Sequence, residues 1–302
     1  MIPNSLQKGD KIGIIAPSDP IRKEDSEEIN RSITLIEASG FECEFGKYAF
    51  SNTTGYGASP EEKAKDIEYF FSRPDIKMIW CARGGANSNT LFSYLNYDSI
   101  RKNPKIICGY SDSTSLLNMI YQKTGLVTFL GETFKGLTTW QTNYSYDEII
   151  KRFQKADKTL GKDDDKYTSV VPGEAAGILV GGNLSLISLM ACGTYCLDFK
   201  DKILVLEELG FETDPAGVSH YLYYLKQNHV FDQIEGLWIG NYEHPSGISL
   251  EQIVLEVVGK TPSFPILKSN NFGHTDRKTV IPIGVKAKIQ AGKIELVEPC
   301  VK

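Results

Sequence analysis

Residues 105–113 read KIICGYSDS, and this stretch joins an apolar strand to a helix through a very short turn. Residues 105–110 form a β-rich run, and residues 114–121 repeat apolar side chains at helical spacing. A buried strand that leads directly into a helix is typical of a parallel sheet covered by helices. The stretch therefore predicts an α/β domain, with Ser111 on the turn at the carboxyl end of a strand.

The same alternation extends over the N-terminal half of the chain. Predicted strands at residues 11–16, 41–45, 77–82, 105–110 and 126–130 alternate with predicted helices at 24–39, from Ser59 onward, at 87–95 and at 114–121. The strands are apolar on both faces, so we expect a parallel sheet with helices on both sides. Residues 1–140 are predicted to form this domain.

The C-terminal half has a different pattern. Residues 141–173 are charged and weakly periodic, which predicts a linker. Beyond it, predicted strands at 177–180, 202–207 and 236–239 alternate with helices at 184–191, 219–227 and 250–258. Residues 286–289 and 293–297 flank Ala291-Gly292 as an antiparallel hairpin. We therefore predict a second domain over residues 174–302, mixed in its pairing and rich in β-structure.

The composition excludes several classes of protein. Of the 302 residues, 41% are hydrophobic and 24% are charged, as in a globular protein rather than a disordered one. A net charge of −5 argues against a face that binds nucleic acid or an anionic membrane. Without a long apolar run or a signal-peptide core, the expectation is a soluble, cytoplasmic protein. The six cysteines and four histidines are scattered, so no metal site is predicted.

Ser111 is a candidate nucleophile. A serine on a strand-to-helix turn projects its hydroxyl above the edge of the sheet, beside the backbone N–H groups of the helix. The sequence Arg83-Gly84-Gly85 follows the preceding strand, and its N–H groups are candidates for half of an oxyanion hole. The alternatives are that Ser111 or Ser113 caps the helix and that the glycines form an ordinary turn.

A serine nucleophile needs a base, and the base needs an acid that orients it. His274 lies in a polar, glycine-containing loop before an apolar run and is the candidate base, the alternative being a surface histidine. Glu207 ends the apolar run 202–206 and is the candidate acid, the alternative being a solvated strand end. The order Ser111, Glu207, His274 is also that of α/β-hydrolases.

Several motifs together resemble one family of serine peptidases, which includes the LD-carboxypeptidases of murein recycling and the microcin C immunity peptidases. The resemblance runs from about Lys8 to the C-terminus. The motifs are KIGIIAP (11–17), RGGANSN (83–89), NPKIICGYSD (103–112), KTGLVTF (123–129), GGNLS (181–185), LEE (206–208), FGH (272–274) and PIG (282–284). Residues 87–89 and 272–275 look closer to the microcin-immunity branch.

The resemblance implies roles for particular residues. Ser111 would be the nucleophile, Glu207 the acid and His274 the base, with the backbone N–H groups of Gly85 and Asp112 as the oxyanion hole. It also implies a flavodoxin-like α/β N-terminal domain, a mixed β C-terminal domain that carries the acid and the base, an active site between the domains and a homodimer. No metal ion or organic cofactor is implied.

One departure from the family concerns the substrate. Immunity peptidases that act on aminoacyl-nucleotides carry a tryptophan-bearing loop between the domains, which stacks on the base. Residues 141–173 contain no tryptophan, although Trp140 immediately precedes them. The sequence therefore favours a small peptide with an unusual terminal bond, such as the L,D-bond of murein tetrapeptide, over the alternative of a peptidyl-nucleotide.

Other roles and other classes of protein stay open beside this hypothesis. Arg83 is the candidate ligand for a substrate carboxylate and Arg277 the reserve, whereas a structural ion pair is the alternative role for Arg83. The rival classes are a thiol enzyme that uses Cys108 or Cys81 and a small-molecule binder without catalytic activity. Both cysteines lie within predicted strands rather than on a turn, so we expect a Ser-Glu-His amide hydrolase.

Overall fold

The computed structural model describes residues 1–139, 143–162 and 164–302. The chain divides into two compact units, one formed by residues 1–157 and 300–302 and the other by residues 158–299. In the described residues, no helix combines the length and the hydrophobicity needed to cross a membrane. The predicted fold class is confirmed, because parallel strands with helices form the first unit and a mixed sheet forms the second.

Alternating strands and helices form the first unit. The strands are β1 (Lys11–Ile15), β2 (Glu42–Phe45), β3 (Ile76–Cys81), β4 (Ile106–Gly109) and β5 (Thr128–Leu130). The α-helices are α1 (Ser26–Ala38), α2 (Pro60–Ser72), α3 (Tyr97–Lys102), α4 (Ser113–Thr124) and α5 (Tyr144–Gln154), and 3-10 helices span Lys23–Asp25, Ser88–Leu91 and Lys135–Thr138. The five strands pair in parallel in the order β2-β1-β3-β4-β5, the flavodoxin-like order.

The strand order determines where a ligand fits in the first unit. The order reverses between the neighbouring strands β1 and β3: the chain passes from β1 to β2 on one side, and from β3 to β4 on the other side. Loops at such a switch point flank the crevice in which ligands of open α/β sheets usually bind. The loop after β1 contains Asp19, the loop after β3 contains Gly84 and Gly85, and the turn after β4 contains Ser111.

Helix α2 packs closely against this sheet. It begins with a capping box, in which the Ser59 hydroxyl accepts from the Glu62 N–H and the Glu62 carboxylate accepts from the Ser59 N–H. Its buried Phe70 ring lies over Gly13 of β1, where a Cβ would come within 2.6 Å of the ring. Gly13 therefore permits the close approach of helix and strand that fixes α2 over the sheet.

The two ends of the chain lie together in the first unit. The Ser5 N–H donates to the Lys302 carbonyl at 2.8 Å, and the Lys302 N–H donates to the Pro3 carbonyl at 3.0 Å. The Val127 N–H, just before β5, donates to the Met1 carbonyl at 2.9 Å. The last three residues therefore pack with the N-terminal unit, although the whole second unit precedes them.

A mixed sheet forms the second unit. Its seven strands are β6 (Tyr167–Val171), β7 (Ala175–Asn183), β8 (Lys202–Glu207), β9 (Gly236–Ile239), β10 (Ile266–Ser269), β12 (Lys286–Gln290) and β13 (Lys293–Leu296). The unit also contains β11 (Ile281–Ile283), which is not a strand of this sheet. Its helices are α6 (Leu184–Leu189), α7 (Pro215–Gln227) and α8 (Leu250–Val258). Seven strands follow the order β13-β12-β7-β8-β9-β10-β6, in which β7 to β10 are parallel and the flanking pairs are antiparallel.

The segment predicted as a linker, residues 141–173, contains both α5 and β6. In α5, Glu148 and Arg152 are at most 1% exposed and form an ion pair at 3.9 Å, beside the buried Ile149 and Phe153. These two charged residues are therefore inside the first unit, whereas most of the charged residues between 155 and 166 are at least partly exposed. Strand β6 pairs antiparallel with β10 at the edge of the second sheet.

The helix predicted over residues 87–95 is wrong in type and extent. The chain forms only a 3-10 helix at Ser88–Leu91, and α3 follows it, with the Asn96 side chain accepting from the Ser99 N–H. Asn87 has a φ of +77°, and both the N–H and the hydroxyl of Ser88 bind Asp112. These long-range bonds hold the first turn away from a regular α-helix.

Candidate active site

Ser111 lies on the turn between β4 and α4 in a strained conformation. Its φ is +57°, a region that residues other than glycine rarely adopt. The turn is closed by hydrogen bonds from the Ser113 N–H to the Tyr110 carbonyl and from the Thr114 N–H to the Ser111 carbonyl. Asp112 occupies the N-cap position and makes no side-chain capping bond, so Ser111 does not serve as the cap. Strain at a strand-to-helix serine is the hallmark of a nucleophile elbow.

The glycine loop after β3 lies beside this turn. A Cβ on Gly84 would lie 3.0 Å from the Ser111 Cβ and 3.3 Å from its Oγ. Gly85 has a φ of +136°, and a Cβ there would lie 2.3 Å from the Asp19 Oδ1. The parallel pairing of β3 with β4 brings the two segments to one edge of the sheet, as expected from the sequence.

Asp112, next to Ser111, is held by two hydrogen bonds from one residue. The Ser88 N–H donates to the Asp112 Oδ2 at 2.9 Å, and the Ser88 hydroxyl donates to the Asp112 carbonyl at 2.6 Å. The Asp112 side chain is buried, and burial raises the pKa of its carboxyl. No local sequence pattern indicates this contact of Ser88, because its partner lies 24 residues further along the chain.

In the second unit, the structure brings His274 and Glu207 together. The His274 Nδ1 lies 2.8 Å from the Glu207 Oε2, and the Glu207 side chain is 0% exposed. A buried carboxylate beside Nδ1 favours the tautomer with the proton on Nδ1, which places the basic lone pair of the ring on Nε2. Glu207 is therefore buried and paired rather than a solvated strand end.

Backbone contacts set the position of the His274 loop. The Asn241 side-chain amide donates to the His274 carbonyl at 3.3 Å. Gly273 has a φ of +113°, and a Cβ there would lie 2.9 Å from the Asn241 backbone nitrogen. The preceding Phe272 ring packs edge-on against Trp238, with centroids 4.6 Å apart. The glycine and the buried ring together fix where His274 leaves the loop.

Asn183 joins two adjacent carboxylates. Its side-chain nitrogen lies 3.3 Å from the Glu207 Oε1 and 3.0 Å from the Glu208 Oε1. Glu208 also accepts hydrogen bonds from the Ser185 and Leu209 N–H groups, each at 2.9 Å. The sequence contains a signal for Asn183, since it ends β7 directly opposite Glu207 at the end of the parallel β8.

The neighbours of His274 change its pKa. Burial lowers the pKa of the imidazole, but the charge of Glu207 and its hydrogen bond outweigh burial, so the pKa lies above its usual value. Glu208 contributes in the same direction, and Lys278 opposes it. The carboxylate pair thus stabilises the imidazolium that forms when a base accepts a proton.

Both candidate arginines are paired with acidic side chains. The Arg83 Nη1 lies 2.6 Å from the Oδ2 of the buried Asp25, and the Arg83 side chain is 21% exposed. Arg277 pairs with Asp164 at 3.0 Å and with Asp165 at 2.8 Å. Arg83 therefore has the ion pair that its structural alternative requires, while part of its guanidinium faces the surface.

The cysteines and the other side chains considered do not have the properties of a catalytic group. Burial raises the pKa of the Cys81 thiol to about 12 and that of Cys108 well above its usual value, so both thiols are protonated at neutral pH. The exposed His229 pairs with Asp232. Among the described residues, no group of three or more His, Cys, Asp or Glu side chains is arranged to hold a metal ion. Trp140, the candidate base-stacking residue, lies outside the described residues.

Both halves of the chain match the models of one family. A model of the LD-carboxypeptidase N-terminal domain matches residues 12–131, and a model of the LD-carboxypeptidase C-terminal domain matches residues 176–289. A Bacillus subtilis protein named "Probable murein peptide carboxypeptidase" is 31% identical over 96% of this chain and 92% of its own length.

A second group of relatives has a different name. The microcin C7 self-immunity protein MccF of Escherichia coli is 29% identical over 94% of this chain and 91% of its own length. A solved structure of MccF in complex with aspartyl sulfamoyl adenosine is similar with a TM-score of 0.89 at 27% identity, covering 100% of both chains.

Proposed function

The chain belongs to the LD-carboxypeptidase family of serine-type peptidases, and from this premise we propose that Ser111, Glu207 and His274 form its catalytic triad. The substrate class proposed is a small peptide with an unusual terminal amide bond, such as the L,D-bond of murein tetrapeptide. The observation that carries the proposal is the contact of 2.8 Å between the His274 Nδ1 and the buried Glu207. A neutral imidazole held in this way is the base that a serine nucleophile requires.

The mechanism follows from these side chains. His274 accepts the proton of the Ser111 hydroxyl at Nε2 while the Ser111 Oγ attacks the amide carbonyl, and Glu207 stabilises the imidazolium. The backbone N–H groups of Gly85 and Asp112 are the proposed donors to the tetrahedral oxyanion. His274 then protonates the leaving amine, and water hydrolyses the acyl-enzyme.

Replacement of the nucleophile tests the reaction type. Ser111→Ala should lower kcat by on the order of 10³-fold or more and keep the fold, because the side chain loses only one atom. Thermal unfolding measured beside turnover separates the two effects. More than about a tenth of the wild-type activity in this variant would contradict the assignment of Ser111.

The second candidate substrate is an aminoacyl- or peptidyl-nucleotide. It is favoured by the similarity to MccF, whose structure holds aspartyl sulfamoyl adenosine, while the lack of a tryptophan in residues 141–173 favours a peptide. Comparing kcat/KM for a tetrapeptide ending in D-Ala with that for an aminoacyl-sulfamoyl adenosine decides between them. A value for the nucleotide more than about tenfold higher would reverse the preference.

Arg83 is retained as the proposed ligand of the substrate carboxylate. Its partial exposure supports that role, whereas its ion pair with Asp25 supports a purely structural one. Arg83→Ala should raise KM for a peptide with a free carboxylate more than for the same peptide amidated at its C-terminus. An equal change for both peptides would assign Arg83 to structure alone.

A homodimer and a cytoplasmic location are also part of the proposal. The homodimer rests on the family resemblance, and the location is the expectation from the sequence. Light scattering on the purified protein should give about twice the mass of one chain. Cell fractionation with an antibody to the chain should find it beside cytoplasmic markers. A monomeric mass or a membrane fraction would contradict the respective point.

A further inference from the structure

A buried lysine in the first unit contacts the loop that precedes Asp19, a neighbour of the proposed oxyanion donor Gly85. Lys63, on α2, is 5% exposed, and its Nζ donates to the Ser18 carbonyl at 2.6 Å. It also lies within electrostatic reach of the carboxylates of Asp112 and Asp19. A buried ammonium is strongly destabilising unless negative groups surround it, so this position needs the two carboxylates.

The first of these carboxylates belongs to the nucleophile turn. Asp112 directly follows Ser111, its side chain is 4% exposed, and Ser88 donates to both its carboxylate and its carbonyl. The Asp112 peptide supplies one of the two proposed oxyanion donors. Any displacement of this carboxylate therefore moves the N–H group beside the nucleophile.

The second carboxylate holds the glycine loop. The Ala86 N–H donates to the Asp19 Oδ1 at 3.3 Å, and the absent Cβ of Gly85 would lie only 2.3 Å from the same atom. Asp19 thus packs directly on the peptide that carries the other proposed donor. Because Asp19 follows Ser18, whose carbonyl accepts from Lys63, the lysine also holds the backbone of the Asp19 loop.

Charge adds to this geometry. Two carboxylates close to the position where a tetrahedral oxyanion forms would destabilise it by repulsion. Arg22 already pairs with Asp19 at 2.7 Å, and the Lys63 ammonium offsets the charge of the buried Asp112. Its effect should therefore be larger in the transition state than in the ground state.

We propose that Lys63 is a positioning residue, whose ammonium binds the Ser18 carbonyl of the Asp19 loop and attracts the nearby carboxylate of the Asp112 turn, so that the N–H groups of Gly85 and Asp112 face one oxyanion. This inference rests on the proposed function, because it takes Ser111 as the nucleophile. Sequence patterns do not reveal Lys63, since it resembles the other lysines at the start of α2, such as the exposed Lys65.

The test measures the rate at which a fluorophosphonate labels Ser111. The Ser111 Oγ forms a bond to phosphorus, fluoride leaves, the proton passes to the base, and the phosphoryl oxygen occupies the oxyanion hole. Lys63→Met should slow labelling by on the order of 10- to 100-fold, as expected for misplaced donors. Lys63→Arg keeps the charge and should recover much of the rate.

Lys105→Met is the matched control. Lys105 is 8% exposed in the same unit, and its Nζ also donates to backbone carbonyls, those of Arg73 and of Ile76 (2.7 Å for the latter). It lies at the opposite end of β4 from Ser111. The control variant should lose stability as Lys63→Met does, yet label at the wild-type rate per folded molecule.

Each outcome has a separate meaning. Wild-type protein that is not labelled at Ser111 would overturn the proposed function itself. If the wild-type protein is labelled and Lys63→Met is labelled at the same rate, only the role of Lys63 is overturned. The same conclusion follows if labelling of Lys105→Met is slowed as much as that of Lys63→Met. If Lys63→Met does not fold, Asp19→Ala replaces it, since this half-exposed residue should tolerate substitution. That variant should also be slowed, and wild-type labelling would overturn the inference.

Discussion

Glu207 and Glu208 are consecutive, buried residues with different partners. Glu207 contacts the His274 ring, whereas Glu208 accepts from the backbone N–H groups of Ser185 and Leu209. Alternation along a strand predicts that only one of the two can face the histidine, and the contacts show which one does. The amide of Asn183 lies between both carboxylates, so a change at either affects a shared hydrogen-bond donor.

This difference predicts unequal effects of one substitution. Glu207→Gln should lower kcat/KM by on the order of 10³- to 10⁴-fold, because the amide no longer stabilises the imidazolium and disturbs its tautomer. Glu208→Gln keeps an acceptor oxygen and should lower kcat/KM by less than about tenfold. Fluorophosphonate labelling measures both variants without a known substrate. Equal effects, or the reverse order, would contradict the role of Glu207.

The raised pKa of His274 predicts the acid limb of the pH profile. The base must be neutral, so activity should fall as the pH drops through a pKa above the ordinary value of about 6.5. In Glu207→Gln the charge that raises the pKa is lost, while burial still lowers it. The limb should therefore move to lower pH in the variant. A limb that stays in place would show that another group controls the rate.

At the level of elements, two adjacent strands deliver the nucleophile and the glycine loop to one edge of the first sheet. Strands β3 and β4 pair in parallel, and the chain leaves both at their carboxyl ends. A side chain at Gly84 would crowd Ser111, because the Ser111 Cβ lies 3.0 Å from where a Cβ would lie. The close approach of the glycine loop to the Ser111 turn therefore depends on both strands, β3 and β4.

Substitution of Gly84 should displace the nucleophile. Gly84→Ala places a methyl group 3.0 Å from the Ser111 Cβ, so Ser111 must shift by a few tenths of an ångström, and we expect its labelling to slow by on the order of tenfold. Gly236→Ala in β9 is the control, since its Cβ would be similarly crowded, 3.1 Å from the Ile289 Cδ1 and 3.2 Å from the Ala175 Cβ, and it contacts none of the residues assigned to the site. A Gly84→Ala variant labelled at the control's rate would show that the turn adapts.

Local patterns predict elements well where their own residues decide the structure. The strand-turn-helix at Ser111, strand β8 and the final hairpin follow from apolar runs, glycines and turn residues within a few positions. The 3-10 helix at Ser88–Leu91 and the buried pair in α5 depend instead on distant partners. Such partners leave no periodic signal, so those elements were missed.

For the whole molecule, the candidate triad is distributed over both compact units. Ser111 belongs to residues 1–157, whereas Glu207 and His274 belong to residues 158–299. The pairing of His274 with Glu207, 67 residues apart, is a contact that no spacing rule predicts. Each residue was a candidate from its own surroundings, but only the family resemblance assigned the three to one reaction.

Because the two chain ends are adjacent, the order of the candidate triad residues along the chain can be changed without changing their positions in the fold. Because Lys302 pairs with Pro3 and Ser5, a short peptide can join residue 302 to residue 1, and new ends can open in the exposed turn at Gly193. In this circular permutant, Glu207 and His274 precede Ser111. We expect fluorophosphonate to label Ser111 at the wild-type rate, whereas a permutant opened inside β4 should not fold.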